Sequence, residues 1–167
     1  MAVSIHLHFR AVAGGEIRDD HAWLAEFMWA AWEVHAEEYA AGVTDSIDKA
    51  WDSVNELYTA AEGLGVEGDE PWRLPVYGGR PVRYGGDAER YDPPLMVMDA
   101  ADVSRAAEFL AEVSFDELWS VAGTRLGGGG EHEALFRQEY LQYHESLRGF
   151  YGRAAAAGHV VVKAVWA

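Results

Sequence analysis

The chain has 167 residues, half of them hydrophobic and none of them cysteine, so it can bury a core but cannot form disulfides or thiolate metal sites. Its net charge of −15 disfavours nucleic acid and anionic membranes as partners, and no apolar run reaches the roughly 20 residues that span a bilayer. The N-terminus lacks a signal-peptide pattern. We therefore expect one soluble, cytoplasmic domain over residues 1–167, without a cofactor, as a monomer or weak homodimer.

The N-terminal segment predicts a strand with one buried face. Apolar and polar residues alternate over residues 2–9, which is the period of a half-buried strand. His6 and His8 share its polar face.

A long helix is predicted next, over residues 19–41. Asp19 or Asp20 supplies the N-cap, and apolar residues recur at helical spacing. His35 falls within this apolar stripe, so we expect a hydrogen-bonded core histidine. Trp29 projects away from the stripe, roughly 140° from Leu24.

A second helix is predicted over residues 45–63. Asp45 would be its N-cap, Asp48 would lie near the positive end of the helix dipole, and Lys49 would pair with Asp45 one turn away. Trp51 falls in the buried stripe. In this interpretation the acids and the tryptophan first anchor a helix on the core.

The second half of the chain alternates strands and helices. Residues 94–98 and 159–166 are apolar on both faces, which is typical of interior strands, although Lys163 interrupts the second. Helices are predicted over residues 100–113, 115–122 and 131–157. The alternation favours an α/β fold, a single layered domain with a mixed β-sheet covered by helices.

Several segments in this order are familiar: D-S-I-D-K-A-W-D-S-V-N, E-R-Y-D-P-P, A-D-V-S-R-A-A-E-F-L followed by V-S-F-D-E-L, and L-R-G-F-Y-G-R-A-A-A-A-G-H-V-V-V. Together they resemble the YfbM-like family of uncharacterised bacterial proteins, over residues 45–167. The resemblance implies a single layered α/β domain and no established activity. Asp52 stands where that family tends to have histidine, and glycines at 127–130 replace an aromatic, aspartate-containing segment.

A small polar pocket is the first candidate site. Asp48, Lys49 and Trp51 would meet Arg90 and Tyr91 if the two family-like segments come together in space. The structural alternative is that Asp48 caps its helix, Arg90 forms an ion pair and Tyr91 packs.

The function expected from these features is a non-catalytic binding module. The chain has no G-x-S-x-G and no H-E-x-x-H motif. The exposed Trp29 and the acidic surface suit a cationic protein partner, as in an inhibitor or immunity protein. The alternative is a small metal-dependent hydrolase or transferase that uses His6 and His8, which would need a third ligand and an open position.

Overall fold

The computed structural model describes residues 5–83 and 95–166. A five-stranded sheet with the order β2-β1-β5-β4-β3 forms its centre. All four strand pairings are antiparallel. The strands are β1 (His6–Val12), β2 (Thr44–Asp48), β3 (Arg80–Val82), β4 (Leu95–Met98) and β5 (Val160–Trp166).

Helices cover both faces of the sheet. They are α1 (His21–Glu33), α2 (His35–Ala40), α3 (Trp51–Thr59), α4 (Leu74–Tyr77), α5 (Ala100–Glu112), α6 (Phe115–Ala122) and α7 (Glu133–Ala156). The helix α1 packs on one face, against β1, β4 and β5, while α5 and α7 pack together on the other. Within the described ranges, no helix combines the length and apolar character needed to cross a bilayer.

Alternation along the strands builds two cores. Leu7 and Phe9 of β1 point into the larger one, the main core, together with buried residues of α3, α5, α6 and α7. Val162 of β5 and Val97 of β4 point the other way, into a smaller core with α1. Because successive strand residues face opposite sides, one sheet supports both layers.

The predicted α/β class and the helix-covered sheet are confirmed. The central position of β5 between β1 and β4 also agrees with an interior strand. The sheet was expected to be mixed, whereas the observed pairings all run antiparallel. In such a sheet, neighbouring strands need no parallel crossover connection.

The predicted helix over residues 45–63 is wrong in its first turn. Residues Thr44–Asp48 form the strand β2, and the helix begins at Trp51 after Ala50, with no side-chain cap. The strand pairs with β1 in a register that sets Leu7 opposite Ile47. These ladder hydrogen bonds stabilise an extended backbone that local capping signals cannot reveal.

The predicted helix over residues 19–41 is interrupted. Asp20 caps α1 as one of the two expected residues, by accepting from the amide of Trp23. The helix ends at Glu33, and α2 starts after Val34. His35 is exposed rather than in the core: its ring stacks on Trp32 and its Nδ1 contacts the Trp32 carbonyl at 2.9 Å.

Candidate functional site

Three of the five residues of the predicted polar pocket lie within the described residues. Asp48 and Lys49 are exposed at the end of β2, and Trp51 is half-buried where it packs against the main core. Arg90 and Tyr91 lie outside the described residues. Asp48 was expected in the first turn of a helix but is the last residue of β2, and its carboxylate accepts from the hydroxyl of Tyr143 on α7 at 3.0 Å.

This contact marks the rim of a groove between the edge strand β2, the helix α2 and the helix α7, here called the β2–α7 cleft. Two adjoining depressions of about 450 and 690 Å³ make up the cleft. Both have Tyr39, Gln142 and Ser146 in their walls.

Asp45 forms the floor of the cleft. Asp45 was predicted as a helix N-cap, but it lies in β2 and its side chain is only 4% exposed. The carboxylate accepts from the Ser46 amide at 2.8 Å and from the Ser146 hydroxyl at 2.9 Å. Burial raises the pKa of Asp45 to about 6, although these hydrogen bonds and the nearby Arg153 favour its charged form. A carboxylate with only neutral donors is costly to bury.

The rim of the cleft adds further negative charge. Besides its bond to Asp48, the Tyr143 hydroxyl lies 3.4 Å from the Glu139 carboxylate. Burial, followed by the two neighbouring carboxylates, raises the pKa of Tyr143 above its ordinary value. The phenol therefore stays protonated and neutral, and it acts as a hydrogen-bond donor to the acids around it.

The far end of the cleft carries the opposite charge. Arg153 lines that end, and its Nε donates to the Gly42 carbonyl at 2.9 Å. Glu145 lies in the same wall. Acids outnumber bases four to one over the whole cleft, from Asp48 at the rim to Arg153 at the end, so its field favours a cation.

The strand histidines lie elsewhere, under α1. Thr44 Oγ1 donates to the Phe9 carbonyl at 2.7 Å, so it accepts from His8 Nε2, also at 2.7 Å. His8 Nδ1 is then the acceptor for Trp166 Nε1 at 3.4 Å. Burial, reinforced by nearby His35, lowers the pKa of His8 to about 4.

His8 is therefore a neutral imidazole with both nitrogens engaged. His6 packs on the ring of Trp32, with 5.1 Å between ring centroids. Across residues 5–83 and 95–166, no three histidine, aspartate or glutamate side chains converge as a metal site requires.

Trp29 is 53% exposed, as its position outside the apolar stripe predicted. Its ring meets Trp166 edge to face, with 5.5 Å between the centroids. Trp29 lies on α1 and is not among the residues that line the β2–α7 cleft. Trp29 is therefore not part of the cleft.

Sequence reasoning missed Tyr143 and Ser146 of α7. Both lie within the helix predicted over residues 131–157, where neither residue carried a functional signal. The two residues are three apart, so they share one face of α7. Their role became visible only once α7 was seen to pack beside β2, where Tyr143 contacts Asp48 and Ser146 contacts Asp45.

The comparisons with known proteins agree with the fold and leave the activity open. The chain resembles the crystal structure of YfbM from Escherichia coli, a protein of unknown function, with a TM-score of 0.60 and 16% identity over 96% of this chain and 99% of that one. The comparison with curated proteins gave no match. Residues 13–163 match the DUF1877 family, described as a domain of unknown function. The chain therefore belongs to the DUF1877 family, and its fold is YfbM-like.

Proposed function

We propose that this protein is a binding module whose β2–α7 cleft takes up a cationic group of a protein partner, the side chain of a lysine or arginine. The observation that supports this most directly is the Asp45 carboxylate on the floor of the cleft, buried with an amide and a hydroxyl as its hydrogen-bond donors. Asp48 and Glu139 extend the acidic surface to the rim.

The physical argument rests on the cost of burying a charge. Removing a carboxylate from water is unfavourable, and hydrogen bonds from neutral donors offset only part of that cost. A cation 4 Å away contributes about 4 kcal/mol at an effective dielectric constant near 20. Uptake of an ammonium or guanidinium group in the cleft would therefore use an attraction that Arg153, whose Nε donates to the Gly42 carbonyl, satisfies only in part.

The aromatic walls support the same kind of ligand. Tyr39 is exposed in one wall, and the half-buried Tyr143 stands in the opposite one. Tyrosine rings attract cations through their faces, and the aliphatic stem of a lysine or arginine packs well against them.

We do not propose a metal enzyme based on the strand histidines. A metal at His8 would have to displace the hydrogen bond from Nε2 to Thr44 or the one that Nδ1 accepts from Trp166. No observation in the described residues favours that exchange.

Binding of a fluorescein-labelled octalysine peptide, followed by anisotropy in 0.15 M salt, tests the proposal. Asp45→Asn keeps the shape of the side chain and removes its charge. We expect the dissociation constant to rise at least about tenfold, because truncating a buried charge partner costs 2 kcal/mol or more.

Asp52→Asn is the matched control, since it removes one exposed negative charge from α3. We expect less than about a twofold change, because Asp52 is exposed and is not among the residues that line the cleft, and salt screens exposed charges. If the two substitutions changed the dissociation constant equally, peptide affinity would depend only on the net charge of the protein, and the proposal would be refuted. No measurable binding to the wild-type protein would also refute the proposal.

A further inference from the structure

A second pocket shares no lining residue with the β2–α7 cleft. It is enclosed by the segment 64–71 on one side and by α5 with the start of α6 on the other, and its volume is about 470 Å³. This is within the range of about 300–1,000 Å³ that is common for ligand sites. We call it the α5 pocket.

The floor of the α5 pocket is apolar. Phe109 is buried in the main core, and Leu64, Val66 and Val113 are half-buried residues that pack against that core. Because these side chains rest on the packed interior, the floor keeps its shape while it offers apolar surface to a ligand.

The rim of the α5 pocket is acidic. The acids in its lining are Glu67, Asp69, Glu108, Glu112 and Glu117. Arg105 is the single basic residue in the lining, and it is already engaged by the Asp102 carboxylate at 3.4 Å and the Asp69 carbonyl at 3.2 Å. The free charge around the opening is therefore negative.

The wall formed by residues 64–71 is shaped before any ligand arrives. Glu70 has φ +47°, a left-handed conformation that is uncommon for a residue with a side chain. Its amide donates to the Gly68 carbonyl at 2.9 Å, and its carboxylate pairs with Arg73 at 2.9 Å. The following Pro71 restricts the backbone further. A preformed wall reduces the ordering cost of binding.

We infer that the α5 pocket docks one large apolar side chain of a basic peptide segment, with lysines or arginines on either side of that anchor facing the acidic rim. An apolar floor inside a ring of one charge matches an anchor residue flanked by the opposite charge. This site is independent of the β2–α7 cleft, where the floor is itself a charge.

Two labelled peptides test the inference, Lys-Lys-Trp-Lys-Lys and Lys-Lys-Ala-Lys-Lys, with anisotropy as the readout. Both carry the same charge, so their affinity ratio isolates the anchor. We expect the tryptophan peptide to bind the wild-type protein at least about tenfold more tightly. Val66→Ser should reduce that ratio severalfold, whereas Asp45→Asn should leave the ratio unchanged even where it weakens both peptides.

The rim is tested by the double variant Glu108→Gln/Glu112→Gln. Its control is Glu131→Gln/Glu133→Gln, which removes the same charge from exposed positions at the start of α7. We expect the first variant to weaken the tryptophan peptide severalfold more than the second. Equal affinities for the two peptides, or equal effects of the two double variants, would overturn the inference.

An NMR titration of the wild-type protein with the tryptophan peptide tests the site without any variant. The tryptophan ring should shift the methyl signals of Val66 and Val113 and leave those of Val12, in the smaller core on the other face of the sheet, in place. Shifts confined to other regions would refute the site. Tryptamine binding as tightly as the peptide would also refute it, since the flanking charges would then contribute nothing.

Discussion

Asp45 is the residue on which the proposed cleft depends, because its charge is buried among neutral donors. Its sequence context, an aspartate before a helical pattern, is that of an ordinary N-cap. A cap is exposed and stabilises the helix, whereas the observed Asp45 side chain lies beneath Ser146 and lowers the stability of the folded protein when it ionises. Residues that reduce stability in this way are concentrated at functional sites.

Replacement of Asp45 by asparagine should stabilise the protein at neutral pH. The folded-state pKa, about 6, lies above the ordinary value of 3.8, so the folded protein binds this proton more tightly than the unfolded chain does. The wild-type protein therefore loses stability as the pH rises from about 4 to about 6, by about 3 kcal/mol for this group.

Urea unfolding of both proteins between pH 4 and pH 8 measures this effect. The free energy of unfolding of Asp45→Asn, relative to that of the wild-type protein, should increase as the pH rises from 4 to 6. Above pH 6.5 the difference should stay constant. His8 and His144, whose pKa burial lowers to about 4, titrate in both proteins, so their contribution cancels. If the difference in unfolding free energy between the two proteins did not change with pH, the result would contradict the burial of the Asp45 carboxylate.

The short helix α4 is held in place by side chains that are distant from it in sequence. Lys163, only 1% exposed in the central strand, donates from Nζ to the carbonyls of Leu74, Val76 and Gly78 at 2.9–3.0 Å. Tyr151 of α7 donates to the Pro75 carbonyl at 2.6 Å. Burial lowers the pKa of Lys163, while three acceptors for three protons stabilise its ammonium form.

Lys163→Met should loosen α4 without unfolding the sheet. Methionine fills a similar volume but removes the donor that the three carbonyls share, although the Leu74 carbonyl still accepts from the Gly78 amide at 3.1 Å. Each carbonyl left without a donor costs about 1–3 kcal/mol where water cannot reach it. We expect faster hydrogen exchange over residues 74–82 and unchanged exchange in β1. Lys49→Met, at an exposed position, is the control; identical exchange in both variants would contradict the role of Lys163.

The elements that sequence predicts well are those specified by their own residues. Ser114 caps α6 through the Glu117 amide, and Asp99 caps α5 in the same way. The strand β2 depends instead on β1, more than thirty residues earlier, and its polar residues read equally well as a helix start. Lys163 likewise looked like an interruption of a strand, because its three carbonyl partners lie over eighty residues away.

At the scale of the whole molecule, the net charge of −15 favours basic partners, and we propose that the two pockets are where such a partner binds. The layered α/β fold and the family relationship were predictable, since both follow from patterns along the chain. The β2–α7 cleft was not, because its residues come from β2 and α7, about a hundred positions apart.

The most direct test of the account is the pKa of Asp45, measured by NMR from its carboxyl carbon with and without saturating octalysine peptide. We predict a value near 6 in the free protein and a fall of about one pH unit or more in the complex, because a nearby cation favours the charged carboxylate. A pKa that the peptide leaves unchanged, or a free-protein value near 4, would contradict the proposal that this cleft binds a cation.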